Sequence, residues 1–392
     1  MSKLKKTFWD IWSSYAIYYF GKVNLGIVVP ALLVTFKDLS LYNVGLVSSG
    51  FFFAYAIGQF LHGQISEKHN PFVYISAGLI LSGIMNAILG FWGGFFTILL
   101  VGETIDGFVQ AMGWSSCVRA NAMTMEKSNI SRSSTILGTS YQIGNSVAWL
   151  ISAFAVGAWG WQAGFFVASG MLILRGVLLL ITRPTMPPIK KEKALTTVKN
   201  TLTLPIIMGG VGLCLLNMVR YGVITWIPLY LFQVGNLTIE QMGKVGLKVC
   251  LIPIAGVLGT LVYNKIKMSK DLLSVVYLVL LAVSFVVLPF TQGIASVVVL
   301  VIGSFFLYGP HVFLVSTLPT RFTKVVGAST GFIDGMGYVG TTLIGIIVPV
   351  LITINEATAS GGWHSVFAFW AILSAITAAF VGFNYVKSFK NS

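Results

Sequence analysis

Two cations stand inside long apolar runs at matching places in the two halves of the 392-residue chain. Lys22 lies in Tyr18-Tyr19-Phe20-Gly21-Lys22-Val23-Asn24 and precedes Pro30 by eight residues; Arg220 lies in Asn217-Met218-Val219-Arg220-Tyr221-Gly222 and precedes Pro228 by eight. A charge at mid-bilayer depth costs about 2.5–3.5 kcal/mol on insertion scales, so it usually turns toward a polar interior and marks the path of a substrate or ion. Two such cations imply a site for an anion. In the plainer reading each pairs with an acid or caps a broken helix, and three acids keep that reading open. Glu103 and Asp106, three residues apart, share one helical face, and Asp334 lies buried in Gly331-Phe332-Ile333-Asp334-Gly335. They would act as counter-charges for an empty basic site, or as protonatable groups that couple transport to a proton gradient.

The elements that must hold these residues follow from composition. The chain is 56% hydrophobic and 9% charged, with a mean hydropathy of +0.87, whereas soluble domains carry about 25% charged residues. That excludes a soluble globular protein and implies an all-α, polytopic membrane protein. Apolar runs of about 20 residues suffice to cross the hydrocarbon core as helices, and twelve such runs fall between Tyr15 and Tyr385. Of the 25 Lys and Arg, 18 lie in the tails or in one set of alternate short loops. The net charge of +14 therefore reports topology rather than nucleic-acid binding, and the positive-inside rule places both termini in the cytoplasm.

One long polar stretch, Arg183 to Thr203, carries Pro184, Pro187, Pro188 and a Lys cluster, and divides the chain nearly in half. The expected organisation is an interfacial segment over 1–14, a six-helix bundle over 15–182, a linker over 183–203, a second six-helix bundle over 204–386 and a tail over 387–392. Internal repetition supports it. Gly160-Trp161-Gln162-Ala163-Gly164-Phe165 is echoed by Gly362-Trp363-His364-Ser365-Val366-Phe367 at an offset of 202, close to the 198 that separates Lys22 from Arg220. Matches at both ends of each half imply two parallel repeats related by an axis along the membrane normal. Cys117, Cys214 and Cys250 lie in separate apolar segments and read as packing residues. No phosphate-binding Gly-rich loop and no His or Cys ligand cluster occurs in the sequence. ATP-driven transport, enzyme chemistry, a cofactor and a metal site are therefore not expected.

At four stretches the sequence resembles the organophosphate:phosphate antiporter branch of the major facilitator superfamily. They are Tyr15 to Pro30; Gly63 to Pro71 with Ala77 to Gly83 after it; Gln110 to Trp114 through Cys117 and Arg119; and Tyr308-Gly309-Pro310 through Gly327 to Phe332 and Gly337 to Gly340. The resemblance implies twelve transmembrane helices in two pseudo-symmetric bundles, with a basic residue from span 1 and another from span 7 binding the phosphoryl group. Here these are Lys22 and Arg220. Lys22 departs from the Arg usual in that branch, replacing a planar fork with a point charge. The resemblance further implies that Tyr15, Tyr19, Tyr308 and Tyr338 line the pocket, and that two polar positions of the branch are replaced by Gln59 and Tyr141. Asn217 would add an amide contact, and His311, after Tyr308-Gly309-Pro310, either bonds substrate or packs. Glu67, in the loop after span 2, would pair with a basic residue such as Arg119 and act in gating.

The function so implied is secondary-active transport of a small organic anion in the cell membrane, with an organophosphate exchanged for inorganic phosphate by rocker-switch alternating access. A proton-coupled symporter of a sugar acid or other carboxylate is the alternative, using Glu103, Asp106 or Asp334. A non-transporting organophosphate sensor is a third reading. The expected partners are the anion and the lipid bilayer, without nucleic acid, and the protein is expected to be a monomer.

Overall fold

A computed structural model describes residues 3–66, 69–126, 129–184, 203–318, 326–355 and 362–390. Among them every regular element is a helix: α1 Lys3–Thr35, α2 Leu41–Ser66, α3 Pro71–Trp92, α4 Phe96–Gln110, α5 Met112–Thr124, α6 Ile130–Leu137, α7 Ser140–Trp159, α8 Trp161–Thr182, α9 Leu204–Val234, α10 Met242–Val249, α11 Leu251–Lys265, α12 Lys270–Val287, α13 Ile294–Val312, α14 Val326–Ile354 and α15 Trp363–Lys390. Ten helical segments are long and apolar enough to cross a membrane. The remaining two of the twelve expected spans are broken helices. The fourth is α4 and α5 joined at Ala111; the fifth is α6 and α7 joined at Gly138 and Thr139. Large apolar side chains such as Phe60, Trp159, Ile181 and Phe290 point outward, as they do where the solvent is lipid.

α1 has 33 residues, about 50 Å at 1.5 Å per residue, and so exceeds the hydrocarbon core of about 30 Å. Residues 3–14, expected as an interfacial segment, continue α1 without a break. This extension is tied down by Arg175 of α8, whose Nη2 donates to the Asp10 carbonyl at 2.7 Å and pairs with Asp10 Oδ1 at 3.0 Å, while Nε donates to Ser14 Oγ at 3.0 Å. Pro30 and Pro228 lie inside α1 and α9 at corresponding positions.

The chain forms two compact units. The first comprises Met1–Lys193 with Leu231–Cys250, and the second Ala194–Tyr230 with Leu251–Ser392. Within the first, α3 packs along α8, α2 along α4, and α1 along α7 and α8; α10 joins this unit by packing on α7. Within the second, α12 packs along α15, and α11 along α13. Span 3 on span 6 and span 2 on span 4 are thus repeated as span 9 on span 12 and span 8 on span 10. The repeat extends to backbone detail. Gly160 and Gly362 have φ of +82° and +81°, a conformation that only glycine adopts without strain. Each turns the chain into the helix whose first residues, Trp161 and Trp363, are buried. Gly144 of α7 lies against the Ala16 backbone of α1, as Gly340 of α14 lies against the Cys214 backbone of α9. Gly138 sits instead at the α6–α7 joint. The three cysteines are free thiols.

Candidate functional site

In the first unit, α1 presents Lys22 to a group of aromatic rings. The side chain is only 6% exposed, and its Nζ lies 3.7 Å from the centre of the Tyr55 ring on α2 and 5.6 Å from that of Tyr19. Gln59, one turn after Tyr55, donates from Nε2 to the Tyr55 hydroxyl at 2.7 Å. Gln59 thereby holds the ring on which the ammonium rests, a contact worth about 0.5–2 kcal/mol according to its desolvation. The aromatic group continues on α1, α5 and α7: Tyr15 meets Tyr19 at 5.9 Å and Trp114 at 4.7 Å, and Tyr19 stacks on Tyr141 at 6.0 Å. Gln142 and Asn145 of α7 are buried, with Nε2 and Oδ1 respectively lacking hydrogen-bond partners.

In the second unit, α9 presents Arg220, 4% exposed. Its Cζ lies 4.6 Å from the Tyr221 ring centre and 5.4 Å from that of Tyr308 on α13. Tyr221 approaches Tyr338 of α14 at 6.2 Å, and Tyr308 approaches His311 at 6.2 Å. Asn217, one turn before Arg220, abuts Gly337 of α14. Its Oδ1 and the Nδ1 of His311 are buried without a hydrogen-bond partner, a cost that a polar ligand would offset. The two units are thus built alike: a buried cation on the first helix, tyrosines from neighbouring helices, and nearby amides.

The acids are distributed differently. Glu103 and Asp106 are buried on α4, where Asp106 Oδ2 accepts from Asn86 Nδ2 at 2.9 Å. Asp334, expected to be buried, is only partly so. It sits on α14 between Gly331 and Gly335, around both of which there is open space. Glu67 lies outside the described residues. Arg119 donates from Nη1 to the Ser66 carbonyl and, at 3.0 Å, to the His69 carbonyl, so it caps the end of α2 beside that position. Sequence reasoning missed Tyr55, Tyr221 and the Asp10–Arg175 pair. The i, i+4 spacing of Tyr55 and Gln59 was an available signal.

Ten apolar helical spans among the described residues and outward apolar surfaces define a multi-pass membrane protein, with a buried cation and polar company in each unit. A profile of the Major Facilitator Superfamily matches residues 11–345, and the chain belongs to that family. Among curated relatives, the "Membrane sensor protein UhpC" of Escherichia coli is 25% identical, covering 86% of this chain and 83% of that protein. A "Probable hexose phosphate transport protein" of Chlamydia trachomatis is 24% identical over 96% and 90% of the two chains, and a "Glycerol-3-phosphate transporter" of Bacillus subtilis 24% identical over 86% and 83%. These are relatives of the kind the sequence resemblance anticipated. Among solved structures, a bacterial homologue of the human lysosomal transporter Spinster, inward-facing and occupied, superposes with a TM-score of 0.76 at 15% identity, covering 97% and 96% of the chains. A D-xylose–proton symporter gives 0.74 at 12% identity over 95% and 96%.

Proposed function

We propose that this protein is a secondary-active carrier that exchanges an organophosphate for inorganic phosphate across the cell membrane by rocker-switch alternating access. The observation that carries the reading is the matched pair of buried cations, Lys22 on α1 and Arg220 on α9, each set among tyrosines. A phosphate monoester carries about 1.5–2 negative charges near neutral pH, and each unit holds one buried cation suited to such a charge. Relatives named for hexose phosphate and glycerol-3-phosphate support the substrate class. Tyr15, Tyr19, Asn217, Tyr308, Tyr338 and His311 would orient the ester, with Tyr141 and Gln59 shaping the first unit's half. Bundles over 15–182 and 204–386 would move about the bound anion, with both termini cytoplasmic by the distribution of Lys and Arg. The carrier acts as a monomer.

The test is uptake of labelled phosphate into phosphate-loaded vesicles containing the purified protein. Lys22→Ala and Arg220→Ala should each slow exchange by about tenfold or more, the loss expected when a charge-assisted hydrogen bond is removed. Exchange at the wild-type rate by either variant would refute the assignment. The sensor named among the relatives favours a second reading, in which the site binds the anion without moving it. Saturable binding without flux would establish that reading instead.

A further inference from the structure

One polar group in the first unit is unused by the anion site. Glu103 and Asp106 are 2% and 0% exposed and lie one turn apart in the interior of α4. Among the described residues neither forms an ion pair, Glu103 Oε1 and Asp106 Oδ1 lack a well-formed hydrogen bond, and the Ser82 hydroxyl lies beside the Asp106 carboxylate. A line of amides leads away from them. Asp106 Oδ2 accepts from Asn86 Nδ2 at 2.9 Å, Asn86 Oδ1 accepts from Asn24 Nδ2 at 2.7 Å, and Asn24 Oδ1 accepts from the Leu25 N–H at 2.9 Å. Asn86 Nδ2 also donates to the Ser82 carbonyl at 3.0 Å, so both of its donors are in use. The line runs from α4 through α3 to α1 and ends two residues from Lys22.

Other titratable groups on the helices packed against α4 are engaged elsewhere. On α1, the Tyr18 hydroxyl donates to the Ile75 carbonyl at 2.8 Å, Asp10 pairs with Arg175, and Lys22 rests on Tyr55. On α2 and α3, His62 joins the Tyr74 hydroxyl at 2.6 Å and the Phe108 carbonyl at 3.1 Å, and Tyr55 accepts from Gln59; Tyr42 lies in the first turn of α2, and His69, in the loop after it, meets the Ile65 carbonyl. On α5, Arg119 bonds the Ser66 and His69 carbonyls, and Cys117 is a buried thiol. None of these hydrogen-bonds to Glu103 or Asp106.

We propose that Glu103 and Asp106 form a proton-binding site that gives the exchanger a second mode, net uptake of the anion coupled to a proton, an inference that rests on the chain being a carrier. Two buried carboxylates one turn apart lose their hydration and repel each other, and among the described residues no cation pairs with either of them. A proton supplies the donor that the bare oxygens lack. It arrives from water on one side of the membrane, binds a carboxylate oxygen as an O–H, and is returned to water on the other side, with no other bond made or broken. Because the amide line ends on α1, loss of the proton would be felt by the helix that carries Lys22.

Two measurements test this. Infrared spectra of purified protein near neutral pH, without substrate, should contain a protonated-carboxyl C=O band that weakens in Glu103→Gln or Asp106→Asn. A spectrum with no such band in the wild type, or an identical one in both variants, would overturn the proposal, since carboxylates serving only as counter-charges are ionised. In vesicles lacking internal phosphate, an acidic exterior should drive phosphate uptake. That uptake should fall in Glu103→Gln by more than phosphate–phosphate exchange does, because a proton carrier on the pathway is removed. Phosphate carries protons itself, so this ratio decides: equal loss in both modes overturns the coupling. If wild-type protein moves no phosphate in either mode, the proposed substrate class fails, while the infrared band still decides the proton site.

Discussion

At the scale of single residues, the two cations differ in what they ask of their surroundings. Arg220 lies near two tyrosine rings, at 4.6 and 5.4 Å, where a flat guanidinium stacks and still presents its fork of donors; an ammonium does neither equally well. Arg220→Lys should therefore weaken apparent phosphate affinity by about tenfold to a hundredfold, the range set by a charge-assisted hydrogen bond of about 1.5–3 kcal/mol. Lys22 rests chiefly on the Tyr55 ring at 3.7 Å, with that of Tyr19 at 5.6 Å. Tyr55→Leu should cost about 0.5–2 kcal/mol of that support, read as a higher KM for exchange, whereas Tyr55→Phe keeps the ring, loses only the bond from Gln59, and should raise KM less. A Tyr55→Leu variant with wild-type KM would show that the ring does not position Lys22. The cations were legible in the sequence because a charge in an apolar run stands out. Tyr55 and Tyr221 were not, because an aromatic ring in such a run has the same pattern as ordinary helix packing. Asn24 and Asn86 are 62 residues apart in sequence, and only tertiary structure joins them to Asp106.

At the scale of elements, close helix approach depends on glycine where backbones touch. A Cβ at Gly144 would overlap the Ala16 backbone, and one at Gly340 would overlap that of Cys214. Gly144→Ala and Gly340→Ala should each destabilise the purified protein by about 1–3 kcal/mol, as overpacking does, and lower its Tm. Gly170 of α8 has open space around it, so Gly170→Ala should leave Tm unchanged or raise it, since alanine is about 1 kcal/mol better in a helix. Equal Tm values for the three variants would contradict the backbone contacts. The all-helical, membrane-spanning fold was legible because apolar runs persist along the chain. The breaks at Ala111 and Gly138 were not, since neither interrupts the apolar pattern, and the continuity of α1 through residues 3–14 depends on Arg175 of α8, a partner remote in sequence.

At the scale of the whole molecule, the eighth span is divided between the two units. Met242–Val249 packs on α7 of the first, and Leu251–Lys265 packs on α13 of the second, with Cys250 between them. Where α10 meets α7, Gly246 faces Ala153 and Gly243 faces the Phe154 ring. A seam of small residues allows the two backbones to lie close. If the proposed bundles alternate as bodies, residues 242–249 must leave α7 once in each cycle. A disulfide between Ala153→Cys and Gly246→Cys would prevent that. The Cβ built at Gly246 lies 2.6 Å from that of Ala153, and a disulfide, with Cβ atoms about 3.8 Å apart, would form after a small outward shift. In a background with Cys250→Ser, which removes the competing thiol one turn away, oxidation should stop phosphate exchange and dithiothreitol should restore it. Loss of maleimide-reactive thiols measures the extent of cross-linking. Full exchange by fully cross-linked protein would mean that α10 and α7 stay together throughout transport, and that the moving boundary lies elsewhere than between the proposed bundles.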